Sequence, residues 1–364
     1  MMTSQEAQAL RRTIRALATE RLEPEASDVD ARSRFPANGY DALVSVGVPA
    51  LHLPERIGGG GGGILAMTLA VEEIARVCGS TAGVIAATVP ATTALSGSAA
   101  AVAGHRIEQL AAGDHFSAWI ADGVSCTPTA QGMVLNGQGS WVANADRAGQ
   151  LVVVAEIDAE PEVAVLLVST DQEGVYVGGV ETDFGLRGCS LRSVDLRGVR
   201  VAAENLLARG APARALIDRA LTNHRLAVSA LAAGVALGAL DQARSYLVER
   251  QQFGKPIAEF PAIRMILANA TVEVDAARQL TRMAAERIDQ GTDAPSQASA
   301  ALLAATEAAA TVTIEAVQTF GGYGFIKDYP VERMMRDAHL TRLLVDSRSE
   351  RRESVAAHFL SGAS

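Results

Sequence analysis

The chain has 364 residues, 49% of them hydrophobic and 20% charged, with a formal net charge of −9. This composition supports an extensive buried core and excludes a disordered chain, and the acidic balance speaks against DNA or an anionic membrane surface as a partner. Thirty of the 32 basic residues are arginine, with Lys255 and Lys327 the exceptions, a bias read as codon usage and not as function.

Residues 1–113 read as a helical block. Met1 to Glu25 mixes Arg and Glu with no apolar core, so a signal peptide is not expected and the cytoplasm is the expected location. Ala9, Leu10, Ile14, Leu17 and Ala18 fall on one helical stripe, with Arg11, Arg12, Arg15 and Glu20 off it. Asn38 is placed to cap a helix over Gly39 to Val46, and Glu72 and Glu73 sit in a further helix.

Residues 114–211 change to short runs of Val, Leu and Ile at Leu151 to Ala155, Val163 to Val168, Val175 to Val177 and Val199 to Val201. Asn136-Gly137 between two such stretches predicts a tight hairpin. From 212 to 364 helices return: Leu216 to Arg250, Pro261 to Gln290, Gln297 to Phe320 and Val331 to Phe359. The apolar run Leu226 to Leu240 is too short to span a bilayer and reads as a helix packed on all sides.

Most candidate motifs carry little. Gly58 to Gly63 fits GxGxxG, but no clear strand precedes it, no βαβ unit surrounds it, and a flexible surface loop is expected. His52, His105, His115, His224, His339 and His358 share no metal-ligand spacing, so no metal is expected. Cys78, Cys126 and Cys189 are odd in number and widely spaced, which argues against a disulfide framework. Ser229 lacks a nucleophile elbow. Two C-terminal segments carry more. Arg250-Gln251-Gln252-Phe253-Gly254-Lys255-Pro256-Ile257 closes one helix. Gln318-Thr319-Phe320-Gly321-Gly322-Tyr323-Gly324-Phe325 closes another, and Pro330-Val331-Glu332-Arg333 opens the next. Long donors beside glycine breaks suit a phosphate or pyrophosphate.

Taken together, these segments resemble the acyl-CoA dehydrogenase signatures R-x-x-F-G-x-P-I and Q-x-x-G-G-x-G-[FY]-x-x-x-x-P-V-E-R-x-x-R-D-A. Gly185-Leu186-Arg187-Gly188, Glu204-Asn205-Leu206-Leu207 and Pro54 with the glycine run extend the resemblance over essentially the whole chain. It implies a mainly α fold with a β insert: an N-terminal helical domain, a central β-barrel and a C-terminal four-helix bundle. It also implies FAD, held across a subunit interface, and oxidation of an acyl-CoA thioester between Cα and Cβ. An electron-transfer flavoprotein or similar acceptor would take the electrons.

The family's FAD contacts come from two subunits, and the resemblance divides along that line. Arg250, Gln252, Phe253, Gln318, Gly321 and Gly322 match the residues that reach toward a neighbour's FAD. On the flavin-ring side Trp141-Val142-Ala143-Asn144 keeps the ring-stacking Trp141 but has Ala143 where the family has a hydroxyl. Ala118 to Cys126 lacks the family's Gly-Ser-Asp. The position of the usual catalytic Glu is Val345, which takes no proton. Asp346 and His224 are the substitutes within reach of the known base positions.

One half-site kept and the other lost resembles the non-catalytic subunit of an actinobacterial α2β2 acyl-CoA dehydrogenase, a heterotetramer of steroid side-chain β-oxidation. Three alternatives remain at this level. One is a homotetramer with a relocated base, Asp346 or His224. Another is a flavin monooxygenase-like use of the fold, and the third a structural protein that binds no nucleotide.

Overall fold

A computed structural model describes residues 2–111 and 116–362. His115 and the expected boundary between residues 113 and 114 lie outside the described residues.

Six helices come first: α1 (Ser4–Leu17), α2 (Glu23–Arg32), α3 (Ala37–Ser45), α4 (Gly63–Ala75), α5 (Gly79–Gly97) and α6 (Ala101–Ala111). Thr3 starts α1 with a reciprocal capping box to Glu6. Of the expected stripe, Ile14 and Ala18 are buried and Leu10 and Leu17 half-buried, but Ala9 is exposed. Asn38 is not a cap: Pro36 precedes α3, and Asn38 lies inside the first turn. Glu72 and Glu73 are buried and held by arginines, Arg11 and Arg15 of α1 on Glu73 and Arg278 on Glu72. Buried carboxylates need such partners, and these tie α1 and α4 to the C-terminal helices.

The glycine run is not a loose loop. Gly60, Gly61 and Gly62 donate to the carbonyls of Ala50, Leu53 and Leu51 at 2.8–3.0 Å. A Cβ on Gly59 would sit 2.2 Å from the Leu53 carbonyl oxygen, so only glycine allows that approach.

Eight strands follow: β1 (Phe116–Ile120), β2 (Val124–Thr129), β3 (Gly132–Ala143), β4 (Ala148–Ile157), β5 (Val163–Ser169), β6 (Val175–Val180), β7 (Leu191–Ala202) and β8 (Leu206–Arg209). They form one sheet in the order β6-β7-β3-β2-β4-β5-β8, with β1 parallel to β4. These strands are the central β region of the expected fold, and among the described residues the ladder ends at β6 and β8 with no pairing between those two ends. β2 reaches β4 only at Ser125 and Cys126, because β1 takes the rest of that edge. The Asn136-Gly137 hairpin is also absent. Both residues lie inside β3, where Gly137 faces β2 so closely that a Cβ would meet the Gly123 carbonyl at 2.2 Å. The Asn136 side chain accepts from Gly198 N–H on the other side. The dipeptide that signals a turn serves here as a close-packed strand pair.

The remaining helices are α7 (Ala211–Glu249), α8 (Pro261–Asp289), α9 (Pro295–Phe320), α10 (Val331–Thr341) and α11 (Arg348–Leu360). α7 packs against α4, α5, α8, α9 and α10, which buries nearly all of Leu226 to Leu240. α7 and the span 295–325 are long and apolar enough to cross a membrane, but most of each apolar stretch is buried within the protein. The single helix expected over Val331 to Phe359 is two. A loop at 342–347 divides it, and Ser347 starts α11 with a capping box to Glu350.

Candidate active site

A cleft with about 930 Å³ of empty space, mouth included, opens where the helical and strand regions meet. Leu221, His224 and Val228 line it from α7, spaced three and four residues apart and so on one helical face. Gly83, Ala86 and Ala87 line it from α5, and their small side chains leave the space. Trp119 on β1 and Trp141 on β3 complete the strand side. They are the only two tryptophans in the chain.

The fourth wall is the 342–347 loop, and Val345 faces the cleft from it. Val345 has φ +73°, a left-handed conformation that crowds a β-branched side chain and costs about 1–3 kcal/mol. Two arginines hold it there. Arg225 pairs through Nε and Nη2 with the two Asp346 oxygens, at 2.6 and 3.1 Å. Arg351, 1% exposed, donates to the carbonyls of Arg342, Leu344 and Asp346 at 3.0, 2.8 and 2.6 Å. Asp346 therefore does not line the cleft, and both its oxygens are committed to Arg225.

Among the described lining residues only three side chains titrate: Asp122, Cys189 and His224. Asp122 is exposed at the mouth. Burial pushes the Cys189 thiol up to about 12, so it stays protonated. Burial pushes His224 down to about 4, with Arg225 adding to that and Asp346 opposing it. The imidazole is therefore neutral and offers one hydrogen-bond donor and one acceptor to whatever occupies the cleft.

The remaining wall is fixed from the C-terminal helices. Leu186 has φ +47° and donates its N–H to Asp337 at 2.6 Å. Asp337 is 1% exposed, and burial raises its carboxyl to about 6. Arg336 pairs with Asp30 of α2 and Glu332 of α10 and donates to the Phe184 carbonyl, joining three regions at one point. Trp141 has φ +57°, and its N–H is taken by the Glu181 carboxylate. Asp337 is the Asp of the R-D-A signature, though without a role assigned there, and neither Arg351 nor Glu181 stood out in the sequence. For Arg351 a signal existed, since the Ser347-x-x-Glu350 box marks the loop that it braces.

The C-terminal motif residues lie elsewhere, on the surface. Arg250 ends α7 in extended conformation. Gln252 and Lys255 then pair across a two-residue turn of Phe253 and Gly254, both at positive φ. The turn leaves Phe253 93% exposed. The Arg250 guanidinium lies 5.6 Å from the centre of the Tyr323 ring. Gln318, Gly321 and Gly322 are exposed at the end of α9. The structure thus joins Arg250 to the Gly321–Tyr323 turn in one outward patch, and none of these residues lines the cleft that holds Trp141 and Val345. Beside the patch a methyl group on Gly321 or Gly322 would touch nothing within 4 Å, so the backbone there is open to a ligand.

Residues 4–113 match the N-terminal domain model of acyl-CoA dehydrogenases, and residues 214–357 match the C-terminal domain model. A probable acyl-CoA dehydrogenase of Mycobacterium leprae is 32% identical, covering 92% of this chain and 90% of its own length. The short-chain specific acyl-CoA dehydrogenase of Clostridium acetobutylicum is 29% identical over 93% of this chain and 94% of its own. Butyryl-CoA dehydrogenase from Megasphaera elsdenii superimposes with a TM-score of 0.93, at 26% identity and 99% coverage of both chains. The helix–sheet–helix order, the three-region cleft and these matches agree: the chain belongs to the acyl-CoA dehydrogenase family and has its fold.

Proposed function

We propose that this chain is the non-catalytic subunit of an FAD-dependent acyl-CoA dehydrogenase and completes the FAD site of a homologous partner subunit. The observation that carries the reading is the missing carboxylate: Val345 faces the cleft at the position of the family's usual Glu, and Asp346 is locked to Arg225. α,β-Dehydrogenation of a thioester requires a group that accepts the α-proton, and neither of these residues supplies it.

The two ends of FAD fit this chain differently. The Asp122 carboxylate stands at the cleft mouth, and the Glu181 carboxylate occupies the Trp141 N–H. Ala143 offers no hydroxyl. That setting suits neither an anionic cofactor nor the polar edge of its ring. The outward patch has the opposite character: an always-charged guanidinium, a Gln side chain and open glycine backbone, which suit a pyrophosphate. Arg250, Gln252, Phe253, Gln318, Gly321 and Gly322 would hold the nucleotide end of an FAD whose ring lies in the partner. FAD supplies the hydride acceptor for the oxidation when bound there. An α2β2 tetramer follows, acting on an acyl-CoA of steroid side-chain type and re-oxidised by an electron-transfer flavoprotein or similar acceptor.

The test is flavin content. Expressed alone the chain should carry far less than one FAD per chain; co-expressed with a homologous dehydrogenase chain it should yield a flavin-loaded heteromer. A stable yellow homotetramer with one FAD per chain would overturn the proposal. It would favour the homotetramer reading instead, with His224 the one relocated-base candidate that reaches the cleft.

A further inference from the structure

We infer that the cleft of this chain binds an apolar acyl or ring group carrying a hydrogen-bonding oxygen, that His224 meets this oxygen, and that the group is held there without reaction. Only the last clause rests on the non-catalytic reading above.

The cavity is built and braced. Val345 is kept in a conformation its side chain disfavours by the Arg225–Asp346 pair and by three carbonyl bonds from Arg351. Across from it the small residues Gly83, Ala86 and Ala87 line the cavity and keep its space open. The interior is otherwise apolar, with Ile120, Leu186, Leu191, Val228 and Leu344 on its walls.

His224 is the exception. Its ring lines the cavity and makes no hydrogen bond with any described residue. Its charged neighbours Arg225 and Asp346 satisfy each other and leave the imidazole free. A neutral ring offers one donor and one acceptor, so either a hydroxyl or a carbonyl on the ligand can pair with it. A pocket that hydrogen-bonds an oxygen rejects analogues without one far more strongly than an apolar pocket rejects a changed methylene. In a member of this family the acyl group enters as a thioester, and the oxygen is one on the acyl chain or ring, because a thioester carbonyl is common to all such ligands and gives no selection.

Because Trp119 and Trp141 are the only tryptophans and both line the cleft, tryptophan fluorescence of the full chain, excited selectively over tyrosine, reports on this site. The probes are butyryl-CoA, 3-hydroxybutyryl-CoA and free CoA. The expected result is a saturable fluorescence change with 3-hydroxybutyryl-CoA, at least tenfold tighter than with butyryl-CoA and absent with CoA. His224→Leu should erase the tenfold preference and His224→Gln should keep most of it. Equal binding of both thioesters, even if weakened alike by His224→Leu, would show thioester binding without selection for the oxygen and would overturn the inference. No saturable change, or binding indifferent to His224→Leu, would overturn the inference and leave the non-catalytic reading standing. Reduction of a dye acceptor by the isolated chain with 3-hydroxybutyryl-CoA would sink the non-catalytic reading instead.

Discussion

Arg250 and Val345 stand in two regions of one helical domain that are furnished in opposite ways. Around Arg250 the side chains are exposed, polar or aromatic, and the glycine backbone is open. Around Val345 the walls are closed and apolar, and the charged groups nearby, Arg225, Asp346 and Arg351, are spent on one another or on carbonyls. The first region is shaped to give hydrogen bonds to something outside the chain. The second is shaped to enclose something, and it has no carboxylate at Val345 to take a proton from it. The resemblance assigns these two sets of contacts to different subunits of one assembled site, so their separation within the chain is expected. The contrast that matters is the kept outward patch against the missing carboxylate.

The largest effect we expect concerns the wall of the enclosed region. Burial raises Asp337 to about 6, above the 3.8 of an unfolded carboxyl. The folded state keeps its proton to higher pH, so the associated stability is complete below about pH 4 and is lost as pH rises through about 6. Asp337→Asn keeps the oxygen that accepts from Leu186 and has no charge to bury. It should flatten the pH dependence of unfolding, gaining on the order of 3 kcal/mol on the wild type between about pH 4 and pH 8. Parallel denaturation curves at both pH values would refute the assignment of Asp337 as a buried, proton-holding brace.

Next comes the outward patch. Arg250→Ala should leave helicity and melting temperature unchanged but weaken FAD retention in the assembled complex by ten- to a hundredfold, about 1.5–3 kcal/mol. Flavin per tetramer after gel filtration is the measurement. Full occupancy with normal assembly would reduce Arg250 to a solvated helix end.

Asp346→Asn should cost about 1–2 kcal/mol of stability, because Arg225 loses a charged partner while keeping a hydrogen bond. Turnover of the assembled complex should change less than threefold. A collapse of turnover with flavin retained would make Asp346 a base after all and erase the contrast between the two regions. The smallest expected effect belongs to Val345→Glu. It restores a carboxylate to the cleft but not the ring-side donors, so neither flavin content nor turnover per complex should rise. A doubling of both would mean that the cleft lacked only its base.

The three-block order and the outward patch were legible because helical periodicity, strand texture and glycine-flanked donors are local patterns. What escaped was non-local. Gly137 carries a turn signal, yet β2 and β7 approach β3 so closely that the chain stays extended there. The parallel pairing of β1 with β4 is likewise one that no local pattern announces. Gly58 to Gly63 looked free because the carbonyls that fix it come from residues 50–53. The 342–347 loop did leave a trace in the capping pair Ser347 and Glu350, but strong helix formers on both sides masked it. The occupation of Asp346 by Arg225, 121 residues away, could be read only from the fold.

The hairpin turn at Phe253 carries a consequence for the cell. A phenyl ring 93% exposed, with Phe325 nearby in sequence to the Tyr323 turn at 79%, is tolerable only while something covers it. Under the proposed assembly that cover is the other gene's product, so the two chains need matched synthesis. Excess of this one would present adhesive aromatic surface to chaperones and proteases. The dosage ratio of the pair, and not either level alone, would then set how much enzyme accumulates.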